Sequence, residues 1–465
     1  MAVVILGPLL STLDSTVVNV SLSTLARELH STISTIQWVT SGYLLALALT
    51  LPLTGWLVDR IGAKRLYILC FAVFTAASML CGLAWSTGSL ISFRIFQGMA
   101  GGLMAPMTQM MVAKVAGRQM ARVIGYAALP VLLGPILGPA IAGLILQSTS
   151  WRWLFFVNFP VGVLAVALAA RFLPKDDRQS TSRSLDLAGL AMLSTGLVAL
   201  LYGIDHIADL AGKLTFGLAL VLLPAFVVYA RQRGPSAIID VSLFRRKTFS
   251  NATRTQFLSN GTAFAGQMLA PLYLVLGCHL TPSHAGWLIA PVGLGMICSA
   301  PLMGNATERF GIRYVSASGA LVALVGTLIL AFMAQHEFSL PLLIAAFFIR
   351  GMGLGAISIP SVSAAYASIP KADLPMAATS IAIVQRMGGP MLTTFTSIFL
   401  AWNLKAPPTT QANFHPFAAA FLLLAAFHAL CLISALLLPI RIAGDPQPAQ
   451  PPHPTPTPTL EALAD

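Results

Sequence analysis

The chain has 465 residues, 57% of them hydrophobic and 9% charged, with 27 Lys and Arg, 15 Asp and Glu, a formal net charge of +12 and a mean hydropathy of +0.81. A soluble domain carries roughly 25% charged residues, so this composition cannot cover a water-facing surface of that size. A soluble enzyme, a secreted disulfide scaffold and a disordered protein are excluded, and a polytopic membrane protein remains.

Crossing roughly 30 Å of hydrocarbon takes about 20 apolar residues. Candidate spans fall at 2–22, 37–58, 66–85, 88–112, 122–146, 152–172, 186–205, 214–230, 249–275, 285–305, 314–335, 340–366, 374–402 and 415–438. The loops 59–65, 113–121, 173–185, 231–248, 306–313 and 367–373 all carry Lys or Arg. Opposite them lie only Arg27, Arg152, Lys213 and Lys405, while Arg94, Arg254, Arg350 and Arg386 fall inside apolar segments. Basic loops face the cytoplasm, so both termini are expected there. The positive charge reads as topological, and no nucleic-acid partner is expected. The first segment lacks a basic leader and a small-residue cleavage pattern, and is read as a retained span rather than a signal peptide. Cys70, Cys81, Cys278, Cys298 and Cys431 sit in or beside apolar runs without C-x-x-C spacing, and read as small apolar residues.

The spans group into a six-helix bundle over 1–172, a linker with two extra helices over 173–232, a loop over 233–248, a second six-helix bundle over 249–440, and a Pro-rich tail over 441–465 that is expected to be disordered. A repeat supports the two bundles. Gly55, Asp59, Arg60, Gly62 and Lys64 recur as Gly304, Glu308, Arg309, Gly311 and Arg313 at a constant offset of 249 residues. Parallel repeats of this length occur in secondary transporters.

Asp14 is the one acid well inside a span of the first block, about 20 Å along its helix at 1.5 Å per residue. Intramembrane acids default to functional sites. Desolvation disfavours the charged form of a carboxyl, so a group that ionises when a cavity opens to water suits a proton carrier. The competing reading is a permanently neutral Asp14 bonded to a neighbouring helix. Arg94, with Gln97 three residues on and so on the same face, needs a partner or a wet cavity. It is expected to bond the first span and oppose the effect of burial on Asp14, or to serve as a clamp between helices. The segment 55–65, with Gly55, Asp59, Arg60, Gly62, Lys64 and Arg65, is read as a cytoplasmic latch made and broken in each cycle, or as bases that only set topology.

These residues lie in motifs that resemble the major facilitator superfamily, and more narrowly its fourteen-span drug:proton antiporters of the EmrB/QacA type. The first span holds Leu13-Asp14-Ser15-Thr16-Val17-Val18-Asn19, and the first cytoplasmic loop holds Gly55-Trp56-Leu57-Val58-Asp59-Arg60-Ile61-Gly62-Ala63-Lys64-Arg65. Arg94-Ile95-Phe96-Gln97-Gly98 falls in the fourth span, and Gly134-Pro135-Ile136-Leu137-Gly138-Pro139 in the fifth. The run from Trp151 to Gly162, with Asn158 and Pro160, is similar to a further family motif. Pro130 and Pro139 depart from the antiporter pattern, which usually has Gly at those places. The resemblance implies an all-α major facilitator fold in the inner membrane. It implies export of amphipathic small molecules in exchange for protons, and its fifth-span motif (Gly134, Pro135, Gly138, Pro139) is carried by antiporters more than by importers.

Asn19, Gln97, Met104, Arg350 and Arg386 are candidates for the central cavity; Arg350 and Arg386 are equally open to snorkelling, and Arg254 is read as snorkelling. Met99, Met104, Met107, Met110 and Met111 form either a pliable pocket or ordinary packing. His428 is read as packing rather than relay. Nothing resembles a phosphate loop, a zinc site or a catalytic triad, so no cofactor and no enzyme activity are expected. The expected partners are an amphipathic small-molecule substrate, protons and the lipid bilayer; a periplasmic adaptor stays open. One rival is an exporter of a single metabolite, and another is a non-transporting membrane sensor or scaffold.

Overall fold

The architecture is that of a computed structural model describing residues 2–116, 138, 141–173, 184–207, 209–336, 338–370, 373–405 and 416–441. Among these residues there is no strand. The helices are α1 (Ala2–Glu28), α2 (Ile33–Thr50), α3 (Thr54–Ile61), α4 (Ala63–Gly82), α5 (Thr87–Ala116), α6 (141–148), α7 (Trp153–Phe156) and α8 (Asn158–Phe172). They continue with α9 (Leu187–Asp205), α10 (Leu210–Arg233), α11 (Lys247–Leu272), α12 (Pro282–Phe310), α13 (Ile312–Met333), α14 (Leu340–Ala367), α15 (Leu374–Lys405) and α16 (Pro416–Leu436). Among the described residues, nine helical segments are long and apolar enough to cross a membrane. The long helices α1, α5, α11 and α15 are not among the nine, and they carry Asp14, Arg94, Arg254 and Arg386. Exposed Leu214, Leu218, Val221 and Val228 along α10 present apolar side chains where a soluble protein would place charge.

One packing pattern occurs twice. In the first half α5 packs on α2, α4 and α1, and α8 packs on α4 and α1. In the second half α14 packs on α12, α13 and α11, and α16 packs on α13 and α11. The internal repeat read from ten residues thus extends to tertiary packing. Small residues allow the close approach of α5 to α2: a methyl at Gly98 would strike the Tyr43 carbonyl, and one at Gly102 the Leu47 carbonyl. Gly351 of α14 meets the Val292 carbonyl of α12 in the same way.

The segments 59–65 and 306–313, expected as loops, are almost wholly helical. The chain reverses at one residue in each: Gly62 (φ +92°) between α3 and α4, and Gly311 (φ +89°) between α12 and α13. This backbone region is open essentially to glycine alone, so a single residue does the work assigned to a loop. Asp59 and Arg60 end one helix while Lys64 and Arg65 begin the next. The segment 233–248, also expected as a loop, holds short 3₁₀ turns over Gly234–Ser236 and Val241–Arg245, and it buries Ala237, Ile238, Ile239 and Leu243. Apolar side chains pull it onto the bundle.

α9 and α10 pack on each other, and α9 also touches α2 and α15, so the extra pair lies beside the seam between the halves. Ser194 donates to the Leu49 carbonyl at 2.9 Å. At the end of the bundle that carries Arg60, Lys64, Arg65, Arg309 and Arg313, Asp186 ties three segments together. Its carboxylate accepts from the amide of Gly189 (3.0 Å), the hydroxyl of Tyr229 (2.7 Å) and the amide of Ile238 (3.1 Å).

Candidate functional site: a buried charge network and the seam at the basic end

Asp14 lies halfway along α1 and points into the first half, 2% exposed. It is not solitary. The guanidinium of Arg94, 0% exposed on α5, donates through Nη1 to Asp14 Oδ2. Gln97 Nε2 donates to Asp14 Oδ1 at 3.0 Å, and Asn158 Nδ2 donates to the same oxygen at 2.8 Å. Three donors from two other helices therefore converge on one carboxylate. A carboxylate, which only accepts, can satisfy all three donors at once.

The donors are held in turn. Arg94 Nε donates to the Val39 carbonyl of α2 at 3.1 Å, and Arg94 Nη1 also reaches Gln97 Oε1 at 2.8 Å. The guanidinium lies over the Tyr43 ring, 4.2 Å from its centroid, a cation–π contact that offsets some of the lost hydration. The Tyr43 and Ser11 hydroxyls are 2.8 Å apart. Asn158 Nδ2 donates to Ser78 Oγ at 3.1 Å, and Ser78 Oγ donates to the Phe155 carbonyl at 2.9 Å. The network joins α1, α2, α4, α5 and α8, five of the elements of one half. A charged pair with this many hydrogen bonds tolerates burial that a bare pair does not.

The pairing of Arg94 with the first span, and Gln97 on its face, are as the sequence suggested. Asn158, Ser78 and Tyr43 were missed as site residues. Asn158 stood inside a quoted motif, and its amide in an otherwise apolar span was the available signal. Asn19 is exposed and lies outside the network. Gly138 is buried, and a methyl there would strike Thr16, two residues from Asp14, so the fifth-span segment approaches α1 closely at this level. Gly134, Pro135 and Pro139 lie outside the described residues.

The second half answers differently. Arg350 of α14 is 2% exposed, and its Nη2 donates to the Thr262 carbonyl of α11 at 2.7 Å. No acid faces it. Gly266 of α11 lies where a methyl would strike the guanidinium, and Arg350 Nε has no hydrogen-bond partner among the described residues. Arg350 is therefore a buried clamp between α11 and α14, not a snorkelling side chain. Arg386 is half-buried midway along α15, where it lines a crevice with Ala48 and Leu51 of the first half and Leu197 and Leu200 of α9. Arg254 is exposed near the start of α11, as snorkelling requires. His428 is buried, with Nδ1 2.9 Å from the Leu424 carbonyl.

The halves meet at the basic end. One apolar core there joins Val58, Leu66, Met107, Met110 and Met111 of the first half to Ala364, Tyr366, Leu374, Ala377 and Ile381 of the second. Tyr366 donates its hydroxyl to Gln109 Oε1 across the seam at 2.7 Å. Gly55 faces α15, where a methyl would lie 3.5 Å from Thr379 Oγ1. Met107, Met110 and Met111 thus belong to the seam, while Met99 is exposed. Met104, a cavity candidate, is fully buried in that core because its helix face turns toward Tyr67 and Gly7. Arg60 lies over Trp56 at 5.3 Å, and Arg309 lies over Phe310 at 5.3 Å. Lys64 Nζ donates to the Leu173 carbonyl at 2.8 Å, and Arg313 Nε donates to the Leu438 carbonyl at 2.6 Å. In each half, a base beside the turn ties to a carbonyl just past the end of a helix, α8 in the first and α16 in the second. Glu308 is exposed, and Gly304 is buried.

Among the described residues, two all-helical halves of like packing, with a buried charge network and a seam closed at the basic end, are the architecture of a membrane transporter. A sequence profile of the Major Facilitator Superfamily matches residues 4–244 and 253–463, and the chain belongs to that family. It is a multi-pass membrane transporter rather than an enzyme. It is 33% identical over 409 residues to a multidrug resistance protein B homolog of Mycobacterium tuberculosis strain H37Rv, covering 86% of this chain and 76% of that one. It is 29% identical over 406 residues to the riboflavin transporter RibZ of Clostridioides difficile strain 630, covering 86% and 88%. Among solved structures, the proton:xylose symporter XylE superposes with a TM-score of 0.61 at 16% identity, covering 93% of each chain; this likeness shows the fold.

Proposed function

We propose that the protein is a proton-coupled antiporter of the inner membrane that exports amphipathic organic compounds from the cytoplasm or the inner leaflet. In this reading it has fourteen spans, two six-helix bundles plus the pair α9–α10, with the basic end and both termini in the cytoplasm. The observation that carries the reading is the three-donor cage around Asp14. A protonated carboxyl is a donor and a poorer acceptor. Protonation would therefore break the Arg94 pair and loosen α1 from α5 and α8, which converts a proton into helix movement.

The Asp14 side chain has no exposed surface with the basic end shut, so the cycle must move α1 before a proton can arrive or leave. Substrate entering from the cytoplasm favours the ionised cage. The halves then rock, the basic end closes over Met107, Met110 and Tyr366, and substrate leaves outward. Reprotonation of Asp14 from outside resets the protein. One charge is worth about 2.3 kcal/mol per 100 mV, and one pH unit adds about 1.4 kcal/mol. Together they sustain a gradient of a few hundred-fold per proton. The mycobacterial relative's name supports a drug-like cargo.

Proteoliposomes with an internal pH dye test the reading. Amphipathic drugs are expected to elicit proton flux in the parent protein and none in Asp14→Asn, while downhill exchange persists. Normal flux in the variant removes Asp14 from the mechanism. A second reading, transport of one physiological compound, is favoured by the riboflavin transporter among the relatives. Riboflavin-dependent flux without response to a drug panel would select it.

A further inference from the structure

The charges inside the bundle do not balance. Among the described residues Asp14 is the one acid placed well inside a helix that crosses the bundle; the other described acids lie at helix ends or in connections. Three arginines lie deep in crossing helices: Arg94, Arg350 and Arg386. Arginine stays charged under all ordinary conditions, and Arg94 consumes the single acid. The second half is left with two positive charges and no protein anion. Arg350 is packed away against the Thr262 carbonyl. Arg386 is not: it is half-buried and has no hydrogen-bond or ion-pair partner among the described residues.

The place of Arg386 matters as much as its charge. It sits about 18 Å along α15 at 1.5 Å per residue, near the middle of the bundle and not at an end where it could reach headgroups. It lies at the seam, lining one crevice with Ala48 and Leu51 of the first half and Leu197 and Leu200 of α9. Its neighbour Gln385 donates to Gln256 Oε1 at 2.7 Å, and Gln256 donates to Ser361 Oγ at 2.6 Å. These neutral amides are committed to one another and supply no counter-charge. A desolvated cation with no protein partner is costly, and such side chains mark binding sites within membranes.

We infer that Arg386 binds an anionic group of the transported compound, a carboxylate or phosphate, so that the cargo is an amphipathic organic anion. This rests on the transport reading above and narrows its substrate class. The cargo supplies the missing negative charge, and the apolar seam receives the rest of it. Exchange of a monoanion for an entering proton then moves two charges, so transport depends about twice as steeply on voltage as exchange of a neutral compound.

The test uses the full-length protein in lipid nanodiscs and three probes that share a ring system: 2-naphthoate, its methyl ester and 2-naphthylmethylammonium. The carboxylate is expected to bind at least tenfold more tightly than the other two. Arg386→Gln is expected to bring the three within about threefold of one another, and Arg386→Lys to keep part of the preference. The ligand-free Arg386→Gln protein is expected to have a higher thermal midpoint than the parent, because an unpaired cation is gone. The inference is overturned if the ammonium binds as tightly as the carboxylate, if Arg386→Gln keeps the preference, if none of the three binds, or if that variant has a lower midpoint. Binding ratios need no transport. Anion preference without proton flux in liposomes would retire the export reading and leave the anion site standing, and drug-dependent flux indifferent to Arg386 would do the reverse.

Discussion

The two halves use the same packing pattern and opposite electrostatics. In the first, Arg94 closes on Asp14, and three donors fix one carboxylate. In the second, Arg350 holds the corresponding clamp on α11, but the position facing it is Gly266, and its one hydrogen bond among the described residues is to a backbone carbonyl. A repeat can therefore keep its helix contacts while only one copy keeps a buried acid. In the proposed cycle the half with the acid couples a proton to movement, and the half without it offers positive charge to a ligand.

The largest expected effect breaks the first half. Arg94→Met leaves Asp14 without its cation, and removal of one partner of a buried pair costs about 3–5 kcal/mol. Arg350→Met removes no ion pair and is expected to cost much less. Denaturation midpoints in a common detergent compare the two, and equal losses would show that the halves are held alike. Next in size is Gly311→Ala, expected to cost about 1–3 kcal/mol through backbone strain. A methyl at Gly311 would also strike the Ile440 carbonyl, and Gly62→Ala, at a like positive φ, is expected to lose a similar amount through backbone strain.

Tyr366→Phe removes the hydroxyl bond to Gln109 across the seam and should weaken basic-end closure by about 1 kcal/mol. Faster labelling of a cysteine placed at Met110 would report it, and an unchanged rate would assign closure to the apolar core alone. The smallest effect is expected from Lys64→Met and Arg313→Met, about 0.5–1.5 kcal/mol each. Similar losses in the two variants would extend the repeat to these carbonyl ties.

The legible part of this site was short-range in sequence. Arg94 and Gln97 share a face because they are three residues apart, and the paired segments around Gly62 and Gly311 repeat at a constant offset. The length of the connection at Gly62 was misjudged because charge density was read as loop, whereas one positive-φ glycine lets both flanking helices run on. Met104 was assigned to a cavity because composition does not say which way a helix face turns.

The sequence by itself determined that this chain lies in a membrane, that it is built as a repeat, and that Asp14 is a solitary acid among intramembrane arginines. Those properties follow from composition and period, which need no partner. Only the tertiary structure decided that Asp14 is caged, not alone, that Asn158 completes the cage, and that Met107, Met110 and Met111 pack at the seam. It also decided that Arg386, of the deep arginines among the described residues, is the one left without a hydrogen bond. Each of these depends on which side chains meet from helices tens to hundreds of residues apart, and such meetings are fixed by how the helices cross.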